Sequence, residues 1–128
     1  MTRHRRAAAA VLAAGAFASV SAAPAPSAGE QVYDRCLACH ALAYDRVGPR
    51  HCGLFGRRAG SVPGFVYSPA MKGSGIVWNA KTLDWFLTAP MQAMPGTNMT
   101  YDGVTDPAER AALIAYLERA GRSAECKR

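Results

Sequence analysis

The sequence predicts a small all-α domain, three main helices and some shorter ones joined by long loops, and three observations predict it. Apolar residues recur at helical spacing behind recognisable caps, after Gly29, after Asn79 and after Asp106. No segment shows the two-residue alternation of a half-buried strand. The run from Val47 to Ser68 holds five glycines and two prolines, which is loop. A loop that long is uncommon in a compact domain unless it wraps something.

The elements follow in chain order. Arg3, His4, Arg5 and Arg6 precede an apolar stretch from Ala7 to Val20 and then small residues, the layout of a secretory signal over residues 1–22, cut after Ala22. The stretch is too short and alanine-rich for a membrane span of about 20 apolar residues, so it reads as a cleaved signal, with an uncleaved anchor as the alternative. Residues 23–28, rich in Ala and Pro, form a flexible leader, 29–121 the folded domain and 122–128 a C-terminal tail. Gly29 to Ala38 has a short helical pattern with Val32 and Tyr33 on one side. Asn79 caps Ala80–Leu87, which ends before Pro90; Asp106 caps the last helix, with Pro107 in its first turn and Glu109 in capping-box position. Leu113, Tyr116, Leu117 and Ala120 form an apolar stripe ending at Gly121, which is core packing.

The whole chain has 15 Lys+Arg against 9 Asp+Glu. Loss of Arg3, Arg5 and Arg6 with the signal leaves a net charge of +3, and no basic run with interleaved aromatics survives to bind nucleic acid. About 100 residues make one domain with a small core, a handicap that a large embedded apolar group relieves.

Cys36-Leu37-Ala38-Cys39-His40 names that group. Two thiols on one turn can add to the two vinyl groups of a haem, and the histidine that follows can ligate its iron. Cys-x-x-Cys also occurs in zinc sites and thiol redox centres. Zinc would need further ligands, and His51, Cys52 and Cys126 fit no usual spacing for it; a thioredoxin-like centre would sit in a βαβ pattern, which is missing. His51 reads as a surface loop residue.

Around this motif the chain resembles the class I soluble cytochromes c, of the cytochrome c2 and mitochondrial type. The resemblance spans Gly29 to Ala120 and rests on Cys36-x-x-Cys-His40, Val47-Gly-Pro49, Gly53-Leu-Phe-Gly-Arg57, Pro63-Gly-Phe-x-Tyr67, Gly75-Ile-x-Trp78, Pro95-Gly-Thr-x-Met99 and Leu113-Ile-Ala-Tyr-Leu117. It implies the class I cytochrome c fold around one haem c, covalent through Cys36 and Cys39, with His40 and Met99 as iron ligands. Met71, Met91 and Met94 are the competing sulfurs, and the Pro-Gly-Thr-x-Met block selects Met99. A soft thioether favours ferrous iron and so raises the reduction potential. The resemblance also implies that Pro49 offers its carbonyl to the His40 ring, and that Arg57, Tyr67, Ser68, Trp78 and Thr97 surround the haem propionates. Gly29, Tyr33, Leu113 and Tyr116 match the family's contact between first and last helices.

The chain departs from the family pattern at several places. Phe86 replaces a tyrosine that usually reaches the methionine sulfur, and Met71 a common asparagine; both make that side of the haem drier. Asn98 replaces a lysine, and the loop from Met91 to Gly103 has no lysine at all, so much of the family's lysine docking ring is missing. Met91, Gln92 and Tyr101 make the exposed haem edge more apolar. Cys52 and Cys126 remain after haem attachment, either as a disulfide suited to an oxidising compartment or as two unrelated thiols.

The function read from all this is one-electron transfer by a monomeric periplasmic shuttle between redox partner complexes at the membrane. No residue nominates itself as a catalytic acid, base or nucleophile, so the chain reads as an electron carrier and not an enzyme. Alternatives are the haem subunit of a periplasmic oxidoreductase, or a ligand-binding or peroxidatic haem protein with a labile Met99.

Overall fold

The computed structural model describes residue 15 and residues 18–128. The signal segment predicted over residues 1–22 therefore lies largely outside the described residues. Among the described residues five α-helices follow in order: α1 (Ala28–Tyr33), α2 (Pro69–Lys72), α3 (Ala80–Thr88), α4 (Pro90–Ala93) and α5 (Pro107–Ala120). Short 3-10 turns cover Asp34–Cys36 and Ala124–Lys127. Among the described residues there is no named strand, only an isolated antiparallel bridge between Arg58 and Val77. None of the described helices is long and apolar enough to cross a membrane.

Caps explain where the helices begin. Ser27 accepts from the Glu30 amide at α1, Ser68 from the Met71 amide at α2, and Asn79 exchanges bonds with Thr82 in a full capping box at α3. Asp106 caps α5 by accepting from the Glu109 amide at 2.8 Å. The capping box predicted there is only half made, because the Glu109 carboxylate turns away and takes a bidentate pair of bonds from Arg35 at 2.7 and 2.8 Å. A guanidinium fork offers two donors where the cap amide offers one. The short helices α2 and α4 each start on a proline, whose fixed φ suits the first turn.

The α1–α5 crossing matches the sequence expectation. A Cβ on Gly29 would stand 2.1 Å from the Ala112 carbonyl oxygen, so only glycine lets the two backbones approach this closely. Beside it the Tyr33 and Tyr116 rings lie 5.1 Å apart. Of the predicted α5 stripe, Leu113 and Leu117 enter a core shared with Val32, Leu54, Trp78, Leu83, Phe86, Leu87, Met94 and Val104, Tyr116 packs against it partly buried, and Ile114, outside the stripe, joins the core. Arg110 is also buried, a charged residue the stripe does not reveal. Its Nε donates to Asp84 at 2.7 Å and its Nη1 to the Val104 carbonyl at 2.9 Å, tying α5 to α3 and to the loop between α4 and α5.

The glycine-rich segment runs without a helix from Cys39 to Ser68 and is pinned by single backbone bonds. Cys52 and Cys126 form a disulfide with Cα atoms 5.2 Å apart, which joins this loop to the C-terminus. The predicted tail is thus fastened to the domain.

Candidate haem site

The attachment motif is a tight turn at the end of α1. The Cys39 and His40 amides both donate to the Cys36 carbonyl, at 3.1 and 2.9 Å, so the thiols and the imidazole leave one short piece of backbone. Both thiols are free; Cys36 is half-buried and Cys39 exposed. Burial pushes the Cys36 thiol up to about 11, against the pull of the neighbouring Arg35. An activated redox thiol has its pKa lowered, so Cys36 lacks the character of a thioredoxin-type nucleophile. Nor is there, among the described residues, a group of three or more His, Cys, Asp or Glu that could hold a metal ion such as zinc. What remains is a pair of free thiols on one turn, placed for thioether formation.

His40 is buried, with 8 % of its surface exposed, and its Nδ1 lies 2.8 Å from the Pro49 carbonyl oxygen. A carbonyl can only accept, so Nδ1 carries the proton and Nε2 keeps its lone pair. Burial pushes the His40 pKa down, which also favours the neutral, ligating form. The backbone passes close behind the ring: a Cβ on Gly48 would fall 2.2 Å from His40 Cε1. Gly48 is therefore required there to bring the Pro49 carbonyl within reach.

The other predicted residues lie in the loops and helix starts that follow. Met99 is half-buried against the core, and its amide donates to Thr97 Oγ1 at 3.2 Å. Of the competing sulfurs, Met94 is buried in the core, Met91 is exposed and Met71 is half-buried. Trp78 is buried and packs on Phe86, their ring centroids 5.2 Å apart. Ser68 caps α2, Tyr67 accepts from the Val62 amide at 3.2 Å, and Arg57 donates to the carbonyls of Cys52 and Arg50 at 3.2 and 2.9 Å. Leu42, Phe55, Met71, Ile76, Met99 and Tyr101 are apolar residues packed against the core but only partly buried. Partly buried apolar side chains of this kind, with the free thiol pair and the oriented His40, fit an apolar macrocycle such as a haem.

His51 corrects the sequence reading. It was expected on the surface of a loop, but its ring is half-buried and stacks on His40, with centroids 4.3 Å apart and planes 23° from parallel. Tyr33 Oη lies 3.0 Å from its Nδ1. Burial, with the His40 ring and the Arg57 guanidinium close by, pushes its pKa well below the usual histidine value. The sequence carried no signal for this, because a lone histidine in an irregular loop has no periodicity to place it.

A thiol pair and an oriented histidine on one turn, with partly buried apolar side chains packed on the core, define a c-type haem site. The profile of the cytochrome c family matches residues 26–120, and the chain belongs to that family. It is 46% identical to cytochrome c2 of Rhodomicrobium vannielii over 103 residues, covering 78% of this chain and 82% of that protein. Against cytochrome c2 of Blastochloris viridis the identity is 43%, covering 80% and 84%. Among solved structures, cytochrome cH from Methylobacterium extorquens superposes with a TM-score of 0.70 at 38% identity, over 72% of this chain and 95% of that one. The fold is thus the class I cytochrome c fold. The protein is an electron-transfer haem protein and not an enzyme, with haem c attached through the cysteine pair.

Proposed function

We propose that this protein is a soluble periplasmic one-electron carrier whose haem iron is held between His40 and Met99. The observation that carries the proposal is the 2.8 Å bond from His40 Nδ1 to the Pro49 carbonyl, which leaves Nε2 as a fixed, neutral donor beside the two attachment cysteines. Haem c supplies the ferric–ferrous couple. His40 gains basicity from the Pro49 bond, as metal-ligating histidines do from their outer partners. The Met99 thioether would fill the opposite side, leaving no open position for a substrate. Thr97 braces the backbone at that residue. Arg57, Tyr67, Ser68 and Trp78 would provide the polar groups near the propionates, with Arg57 close enough to the Pro49 loop to donate to Arg50.

Export supports the same reading. The signal over residues 1–22 and the leader over 23–28 would deliver the domain to an oxidising compartment, where the Cys52–Cys126 disulfide persists. Donor and acceptor proteins would meet the exposed haem edge, where Cys39 of the attachment turn and Met91 are both solvent-exposed. Residues 91–103 contain no lysine, so association would depend less on salt than docking through a lysine ring does.

The test is the optical spectrum of the exported holoprotein in both redox states. A low-spin spectrum with the ferric thioether–iron band, lost in Met99→Ala, is expected. Retention of that band in the variant would refute Met99 as ligand, and tight carbon monoxide binding to the native ferrous protein would refute a filled sixth position.

A further inference from the structure

His51 takes no part in the site as proposed, yet its ring is held face to face with His40, 4.3 Å away centroid to centroid. Several contacts fix it there. Its amide donates to the Ala41 and Leu42 carbonyls, both at 3.1 Å, and its carbonyl accepts from the Leu54 amide at 3.0 Å. The next residue, Cys52, bonds the Leu42 carbonyl at 2.7 Å and is bridged to Cys126. On the ring itself, Nδ1 lies 3.0 Å from Tyr33 Oη. Tyr33 is 3% exposed, and its hydroxyl has no other side-chain partner among the described residues. A buried hydroxyl proton needs an acceptor, so it is donated to His51 Nδ1, and the imidazole proton sits on Nε2.

His40 needs such a neighbour. Its bond to Pro49 fixes one ring nitrogen, but a single hydrogen bond leaves the ring free to swing about that line. A second ring packed on its face removes this freedom. Ferric iron also draws more electron density from its imidazole than ferrous iron does, and a stacked π face stabilises an electron-poor ring.

We propose that His51, held by Tyr33, is a positioning residue for the axial His40, fixing its ring plane and biasing the haem toward the ferric state. The proposal rests on His40 being an axial ligand.

Ferric haem-methyl proton shifts report the orientation of axial rings, and potentiometry reports the ferric–ferrous balance; neither is a measure of folding, and the aromatic variant separates ring stacking from a change in local polarity. Both are measured on the holoprotein and on His51→Leu, His51→Phe and Tyr33→Phe. In His51→Leu the methyl pattern changes, and the ferric-to-ferrous ratio at a fixed ambient potential falls about two- to tenfold, the span of one aromatic contact. Tenfold corresponds to a rise of 59 mV for one electron. His51→Phe, which keeps a ring on the His40 face, restores the parental methyl pattern, and Tyr33→Phe gives a smaller change in the direction of His51→Leu. Should His51→Leu yield no holoprotein, His51→Gln makes the same comparison. A parental pattern and ratio in the leucine or glutamine variant overturn the proposal alone. A native protein without the low-spin histidine-ligated spectrum overturns the axial reading and this proposal with it.

Discussion

Removing the Cys52–Cys126 bridge tests how much of this small domain's stability comes from its cross-links. The disulfide closes a loop of sequence separation 74, and restricting the unfolded chain by that much is worth about 4.5 kcal/mol by loop entropy. For a domain of roughly 100 residues this lowers the melting temperature by about 20 °C. The perturbation is the double variant Cys52→Ser, Cys126→Ser, since a single replacement leaves a reactive thiol. Thermal unfolding of the oxidised holoprotein is followed by far-ultraviolet circular dichroism and by haem absorbance. The double variant also gains a steeper dependence on urea, because its denatured chain is free to expand. Its C-terminal 3-10 turn, no longer tied to the loop by the bridge, becomes more open to tryptic cleavage after Arg122. A loss of less than about 5 °C would refute the reasoning: the unfolded chain would then already be constrained. Alkylation of both thiols in the unreduced native protein would show instead that the bridge does not form.

Four other outcomes follow from the structure. Gly48→Ala places a methyl 2.2 Å from His40 Cε1 and so displaces either the ring or the Pro49 carbonyl; the yield of covalent haem per chain, measured by pyridine haemochrome, falls well below the parent. Arg110→Ala leaves the Val104 carbonyl and the Asp84 carboxylate without their donor and costs about 2–4 kcal/mol in urea unfolding, whereas Asp84→Asn, at the more exposed end of the pair, costs less. The Arg35 bonds hold the Glu109 carboxyl below its ordinary value, so their contribution to stability is present above about pH 4.5 and is lost as the pH falls through the lowered value; Arg35→Ala flattens that part of the pH–stability curve. At alkaline pH, Met99 is not replaced by an amine from residues 91–103, which contain no lysine, and nuclear magnetic resonance of the alkaline form shows no lysine ligand from that loop.

The helices were legible because their signals are local. Asn79 with Thr82, Asp106 with Pro107, and the apolar stripe from Leu113 to Ala120 each specify a cap or a face within a few residues. Gly29 was legible only through the resemblance, since nothing in its own neighbourhood announces that the Ala112 carbonyl crosses 2.1 Å from its missing Cβ. The Arg35–Glu109 pair was illegible for a related reason. Glu109 has the right spacing for a capping box, but its partner comes from 74 residues away and wins by offering two donors.

The site divides along the same line. Cys36, Cys39 and His40 are chemistry written in five consecutive residues, and Pro49 follows nine positions on, near enough for the turn to bring its carbonyl to the ring. His51 has no such local mark. Its place is set by Tyr33 from α1, by the Ala41 and Leu42 carbonyls, and by the bridge that anchors Cys52 to the C-terminus. A helix, a loop and the tail must therefore all be folded before the second imidazole reaches the first. Composition reports only a spare histidine. If His51 does bias the iron, the potential of this protein depends on a long-range contact, and relatives with the same Cys-x-x-Cys-His motif but another residue at this position should differ from it in potential even where both axial ligands are the same.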